Sequence, residues 1–253
     1  MNAEIKDYIS ECEICQSYSR NQQKETLLPV EIPARPRQIV STDLCVWNGD
    51  NYLITVDHYS NFIEVDKLQN TLSKTAIKKL KTHMSRYGQC DIVVSDNGHQ
   101  FISNEFDSFA KSWNFIHQTS SPYHPQGNGR AEAVVKIAKR IMSKAKDDKK
   151  DAYKALLAYR NTIQDGLTTS PAQRFLGRRT KTDLPTTGSL LRPERNDAKE
   201  RRDRIVKQER TEKSFNKHLK DLDPLNENDS VRVRPVRLRD KIWVKAKVLQ
   251  RLD

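Results

Sequence analysis

The chain has few cysteines, fewer acidic than basic residues and no long apolar run. Of its 253 residues only 4 are cysteines. Cys45 and Cys90 sit inside apolar runs and read as small core residues, while Cys12 and Cys15 form a single CxxC pair. Nothing in that spacing gives a disulfide framework, so a reducing compartment is expected. No apolar run approaches the roughly 20 residues of a membrane span. The N-terminal stretch MNAEIKDYIS is polar and is not a secretory signal. A soluble, intracellular protein with no membrane partner is therefore expected. Acidic residues number 33 against 45 lysines and arginines, a formal net charge of +12. Such an excess favours a polyanionic partner, most simply nucleic acid, through phosphate neutralisation and counterion release.

What is present is unevenly spread. Residues 1–20 read as a short helix ending in ECEICQSYSR, and NQQKETLLPVEIPARPR, with three prolines, reads as an extended linker. QIVSTDLCVW, NYLITVDHYS and NFIEVDKL are rich in β-branched and aromatic residues and are separated by the turn signals WNGDN and HYSN. They predict a three-stranded antiparallel meander. TAIKKLKTHMSRYG follows with Ala76, Ile77, Leu80 and Met84 at helical spacing. CDIVVSD predicts a strand buried on both faces. Ser103 caps a helix bearing Phe106, Phe109 and Trp113, NFIHQTS is a fifth strand, and a helix runs from about Asn128 to Lys146. DAYKALLAYRNT and SPAQRFLG are further short helices. The fold class is thus α/β, a mixed five-stranded sheet flanked by helices, with the later strands parallel. After Pro185 charge dominates. A solvated helix is expected there, since Ile205, Val206, Phe215 and Leu219 are too sparse for a core face. Strand-like segments at 231–236 and 242–249 suggest part of a small β-domain.

Three acidic residues stand at core elements. Asp43 lies in the first strand, where Asp is disfavoured. Asp96 closes DIVVS, and Glu132 lies early on the helix after the Gly127-Asn128-Gly129 loop, with 35 residues between it and Asp96. Strand-end carboxylates collect at the C-terminal edge of an α/β sheet, and a helix crossing that edge adds a third. Three hard oxygen donors suit Mg2+ or Mn2+, and a pair of such ions serves in-line phosphoryl transfer. Each residue also has an ordinary reading: Glu132 as a match to the helix dipole, Asp96 as a turn residue before Asn-Gly. Asp57 reads as a turn former beside Ser60, and Asp66, Asp91 and Glu105 as surface charges. Lys136, Lys139 and Arg140 share a helix face with Glu132 and are candidates for DNA phosphates, or form a plain exposed face. Tyr123, His124, Gln126 and Asn128 are candidate DNA contacts from the glycine-flanked loop.

STDLCVWNGDNYLITVDHYSNFIEV, IVVSDNGHQFISNEF and SSPYHPQGNGRAEAVVK resemble the integrase catalytic core of retroviruses and gypsy-type LTR retrotransposons. ALLAYRNT and TTSPAQRFLGRRTKTDLP resemble the tail of that core in the gypsy-type group, and the likeness covers about residues 25–186. The resemblance implies a ribonuclease-H-like fold and a polynucleotidyl transferase. Its catalytic, metal-binding triad falls on Asp43, Asp96 and Glu132, with two Mg2+ or Mn2+ ions. It implies DNA as partner (element ends and target), a homo-oligomer when active, and a nuclear location. It also implies a division into a remnant of an N-terminal zinc-binding region (1–24), a linker (25–37), the core (38–186), a basic helical linker (187–226) and a partial SH3-like β-domain (227–253). The family's zinc domain pairs two histidines with two cysteines. Cys12 and Cys15 match the cysteine half as a vestigial zinc pair, but no histidine precedes His58, and two thiolates alone do not make a structural zinc site. Two rival functions remain: a catalytically inactive, transposon-derived nucleic-acid-binding protein, and a plain ribonuclease-H-type nuclease.

Overall fold

The computed structural model describes residues 5, 8–9, 11–17, 32–119, 129–194, 197–217, 225–233 and 243–250. Two compact units emerge. One spans Val30–Glu209 and the other joins Met1–Pro29 to Arg210–Asp253.

The larger unit is built on five strands: β1 (Ile39–Trp47), β2 (Asp50–Asp57), β3 (Ile63–Leu68), β4 (Ile92–Ser95) and β5 (Ile116–Thr119). Their spatial order is β3-β2-β1-β4-β5. The meander is antiparallel, whereas β4 pairs parallel with both β1 and β5. The β1–β2 connection is the two-residue Asn48-Gly49, with φ of 51° and 83°. Positive φ at both positions is the type I′ geometry that matches strand twist, and it sets Trp47 opposite Asp50. The β2–β3 turn closes on Asp57, whose carboxylate accepts from Ser60 N at 2.7 Å and Ser60 Oγ at 2.5 Å. This is the turn-forming role its sequence position suggests.

Period-two alternation sends β-strand side chains to two cores. On one face, Val40, Leu53 and Val93 pack with helices α2 (Ser73–Tyr87) and α3 (Asn104–Ser112) through Ile77, Leu80, Met84, Phe106 and Phe109. On the other, Cys45, Tyr52, Ile54 and Val56 meet α4 (Gly129–Asp147) and α5 (Ala152–Asn161) through Val134, Ala138, Met142 and Leu156. Ala131, Ala138 and Ala145 recur every seventh residue of α4 and are all buried. The far end of α4 is pinned to the β1–β2 hairpin. Trp47 Nε1 donates to Ser143 Oγ at 2.9 Å, and Lys146 Nζ reaches Asn48 Oδ1 at 2.5 Å.

Short elements are fixed by their caps. Ser103 Oγ accepts from Phe106 N. Helix α6 (Pro171–Leu176) has a full capping box between Ser170 and Gln173, proline in its first turn and Gly177 at its left-handed end. The AYRN segment earns its place through Arg160, which donates to Ile63 O, pairs with Glu64 at 2.7 Å and lies 4.6 Å from the Phe62 ring centre.

Two expectations are corrected. Asp66 is not a surface charge: it is half-buried and faces His83 Nε2 at 2.6 Å beside Lys79. The charged segment forms helix α7 (Asp197–Asn216), yet it is not solvated throughout, because Glu200 and Arg204 are buried. It docks by polar rather than apolar side chains, so its hydrophobic pattern gave no sign of contact. In the smaller unit, helix α1 (Glu13–Ser17) accompanies an antiparallel pair, β6 (Ser230–Val233) and β7 (Val244–Lys247). Lys245 Nζ pairs with Glu13 at 3.2 Å. No helix among the described residues is long and apolar enough to cross a membrane.

Candidate active site

Register brings the first two carboxylates together. The parallel β1–β4 ladder pairs Ile39 with Ile92, Val40 with Val93 and Ser41 with Val94. Two residues further on, past the last rung, Asp43 comes level with Asp96. Asp43 shares the strand parity of Cys45, and Asp96 that of Val94, opposite in parity to the Val40 and Val93 of the other core. Both carboxylates therefore lie on the α4 face, and α4 packs there against β1 and β2. Glu132 is in its first turn, exposed.

The electrostatics follow this placement. Burial pushes the Asp43 carboxyl up to about 6. Asp96 adds to the rise, the Leu44 amide opposes it, Glu132 raises it again and Lys139 lowers it. A half-buried carboxylate that feels two others favours the protonated form. Lys136 and Arg140 are exposed on the same helix, and Lys139 is the member of the basic row that acts on Asp43.

Asp96 is held from below. Its Oδ1 accepts from Gly98 N at 3.1 Å. A Cβ at Gly98 would stand 2.2 Å from Gln100 Nε2 and 3.0 Å from Asp96 Oδ1, so a side chain there would crowd the carboxylate. Ser95 Oγ donates to the Asp96 carbonyl at 2.8 Å and meets His117 Nε2 at 2.9 Å. Neither Ser95 nor His117 stood out in sequence; a polar pair flanking a strand-end Asp was the only available signal.

Tyr123, His124, Gln126 and Asn128 lie outside the described residues. Cys12 and Cys15 form a local pair in which Cys15 N donates to Cys12 Sγ at 3.5 Å. Among the described residues, no three histidine, cysteine or acidic side chains form a set that would hold a metal ion. Asp43, Asp96 and Glu132 are coupled through their charges without being drawn into a ligating cluster. Their donor chemistry nonetheless fits a hard divalent cation, which would offset the burial and the neighbouring negative charge that raise Asp43.

A mixed sheet of order β3-β2-β1-β4-β5 between two helical layers, with one acidic residue midway along β1 and another just past the end of β4, defines the ribonuclease-H-like class. The integrase core domain family matches residues 33–125, a span that holds Asp43 and Asp96 and stops before Glu132. The chain carries an integrase catalytic core of the ribonuclease-H-like superfamily. It is 31% identical over 199 residues to the protein K02A2.6 of Caenorhabditis elegans, covering 76% of this chain and 15% of that one. It is 25% identical over 148 residues to the transposon Tf2-3 polyprotein of Schizosaccharomyces pombe, covering 55% of this chain and 11% of the polyprotein. The chain thus spans a small part of the curated relatives it matches. Among solved structures, a chain of the simian T-cell lymphotropic virus intasome in complex with PP2A regulatory subunit B56 gamma is similar in fold. The TM-score is 0.67 at 16% identity, covering 99% of this chain and 82% of that chain.

Proposed function

We propose that the chain is a retroelement integrase acting on DNA, a polynucleotidyl transferase that cleaves a phosphodiester and joins a DNA 3′-hydroxyl to a target strand. What supports this reading is the parallel β1–β4 register, which two residues past its last rung sets Asp43 level with Asp96, on the face against which α4 packs with Glu132 in its first turn. In this reading, Asp43, Asp96 and Glu132 hold Mg2+ or Mn2+, as two ions. Bound there, the cations would polarise the scissile phosphate and lower the pKa of the attacking water or hydroxyl. The protein's own part is to set three carboxylates on rigid elements and to shield Asp43 from solvent. Lys136, Lys139 and Arg140, with Tyr123, His124, Gln126 and Asn128 of the preceding loop, take DNA phosphates, sugars and bases. The reading extends to a homo-oligomer on element ends and target DNA, a nuclear site of action, and a division into core (38–186), basic helical linker (187–226) and partial SH3-like β-domain (227–253). Cys12 and Cys15 then correspond to the cysteine half of that family's zinc-binding region.

Asp96→Asn tests the triad. Strand joining in Mg2+ or Mn2+ is expected to vanish while DNA binding persists, and undiminished joining would sink the assignment. A second reading, a catalytically inactive nucleic-acid-binding protein, is favoured by the absence of a ligating trio among the described residues. DNA binding that weakens steeply with salt, with no metal-dependent nicking or joining by the unaltered chain, decides for it.

A further inference from the structure

Helices α2 and α3 lie on the face of the sheet opposite α4, and an open groove of about 840 Å³ is lined by both. Lys74, Lys78 and Lys81 stand along one wall at i, i+4 and i+7 of α2, and all three are exposed. The steps between them are about 6 and 4.5 Å along the axis. Lys74 pairs with Glu105 of α3 at 3.5 Å. Lys81 Nζ lies 5.5 Å from the Phe109 ring centre. Among the described residues neither Lys78 nor Lys81 has an acidic partner. Glu105 is the acidic side chain in the lining, so three lysines against one glutamate leave two positive charges in excess. The floor is apolar, formed by Ile77 and Phe109, and Trp113 stands half-exposed at the end of α3.

The hydroxyls in the groove sort its possible occupants. Thr82 Oγ1 donates to Lys78 O at 2.9 Å and Ser85 Oγ to Thr82 O at 2.9 Å. Ser108 Oγ donates to Asn104 O at 2.8 Å and Ser112 Oγ to Phe109 O at 3.0 Å. Each has spent its one hydrogen on its own helix and is left as an acceptor. The groove therefore suits a ligand that carries anions, flat rings and N–H donors together. A helical peptide uses its N–H groups internally and would leave these oxygens unserved. A duplex keeps its base edges paired, and a cleft between helices packed about 8–10 Å apart does not admit it. Unpaired nucleotides bring all three features, with phosphates for the lysines, bases for the indole and amino groups for the hydroxyl oxygens.

We infer that the α2–α3 groove binds single-stranded nucleic acid, with Lys74, Lys78 and Lys81 on its phosphates and a base stacked on Trp113. The lysine row is about 10 Å long, room for roughly three stacked nucleotides. The groove lies on the opposite face of the sheet from Asp43 and Asp96 and does not depend on the cation site.

The test is fluorescence anisotropy of the full chain in chelator, with a short labelled single strand and with the duplex of the same sequence. Trp113→Leu is expected to weaken single-strand binding about tenfold. Lys78→Gln is expected to lower the salt slope of single-strand binding by about 0.7. Duplex binding is expected to stay unchanged in both variants. Lys78 is exposed, so the slope decides the matter even where Trp113→Leu fails to fold. Equal losses on single strand and duplex mark a general charge effect and overturn the inference, as does a single strand that neither variant affects. A polyglutamate peptide that binds the unaltered chain and is lost in both variants, with single-strand binding unmoved, assigns the groove to an acidic protein segment instead. A change in the sedimentation of the free chain on Lys78→Gln marks a contact between copies and equally overturns it.

Discussion

Replacing Asp43 by Asn should stabilise the metal-free protein at neutral pH, although it removes a residue central to the proposed chemistry. The carboxyl rises from 3.8 to about 6, through burial and then through Asp96. That is about two units, each worth about 1.4 kcal/mol, for a ceiling near 3 kcal/mol. Because the group is only half-buried, solvent screening reduces the expected gain to about 1–2 kcal/mol. The folded chain holds this proton more tightly than the unfolded chain. Asp43 therefore costs nothing below about pH 4, its penalty grows between about pH 4 and 6, and it is complete above about 6. Unfolding followed by circular dichroism in chelator should show Asp43→Asn melting about 2–6 °C higher at pH 7.5, with the difference closing by pH 4. Adding Mn2+ should reverse the order, stabilising the unaltered chain and not the variant. A variant that melts lower at pH 7.5, or a difference independent of pH, would refute the coupling of the three carboxylates.

His58 gives the opposite acid dependence. Held near 3 by burial and then by Arg130 and Arg204, it is neutral in the fold, so its contribution is whole above about pH 6.5 and drains away as pH falls toward 3. His58→Gln should flatten the loss of stability over that window in denaturant titrations, and an unchanged slope would count against it. Arg160→Ala should destabilise by about 2–3 kcal/mol, since it leaves the partly buried Glu64 with Tyr87 as its remaining partner and frees Ile63 O; urea unfolding measures it. Gly49→Val should cost about 1–2 kcal/mol at its φ of 83°, although no atom lies within 4 Å of the new Cβ. Gly98→Val should impair metal-dependent joining more than stability, because it crowds Asp96 rather than the core.

Much of the fold was legible because its signals are local. Asn48-Gly49 announces a hairpin, alternation in NYLITVD announces two buried faces, and Ser103 and Ser170 announce helix starts. The approach of Asp43 to Asp96 is an expectation that needs β4 beside β1, and the parallel β1–β4 ladder supplies that neighbour. What sequence left dark is long-range and polar. Arg130, Asn61, Gln164 and Arg174 form one hydrogen-bonded chain, yet they are scattered over more than a hundred residues, and no periodicity links them. Asp66 read as surface because its partner His83 lies on another element, a helix whose apolar stripe includes no reason to expect an ion pair. Helix α7 read as solvated because hydrophobic pattern is blind to docking through Glu200 and Arg204.

The three buried alanines of α4 carry a consequence for inheritance. Ala131, Ala138 and Ala145 let the helix lie close against the strands, and a helix moves largely as a stiff rod. Ala145 lies about 20 Å along the axis from Glu132, and enlarging it by two methylenes would lift that end of the rod. The displacement would travel along the axis to the carboxylate without touching any charged residue. Lineages of this sequence can therefore lose the proposed chemistry by drift at an alanine while every acidic residue remains in place.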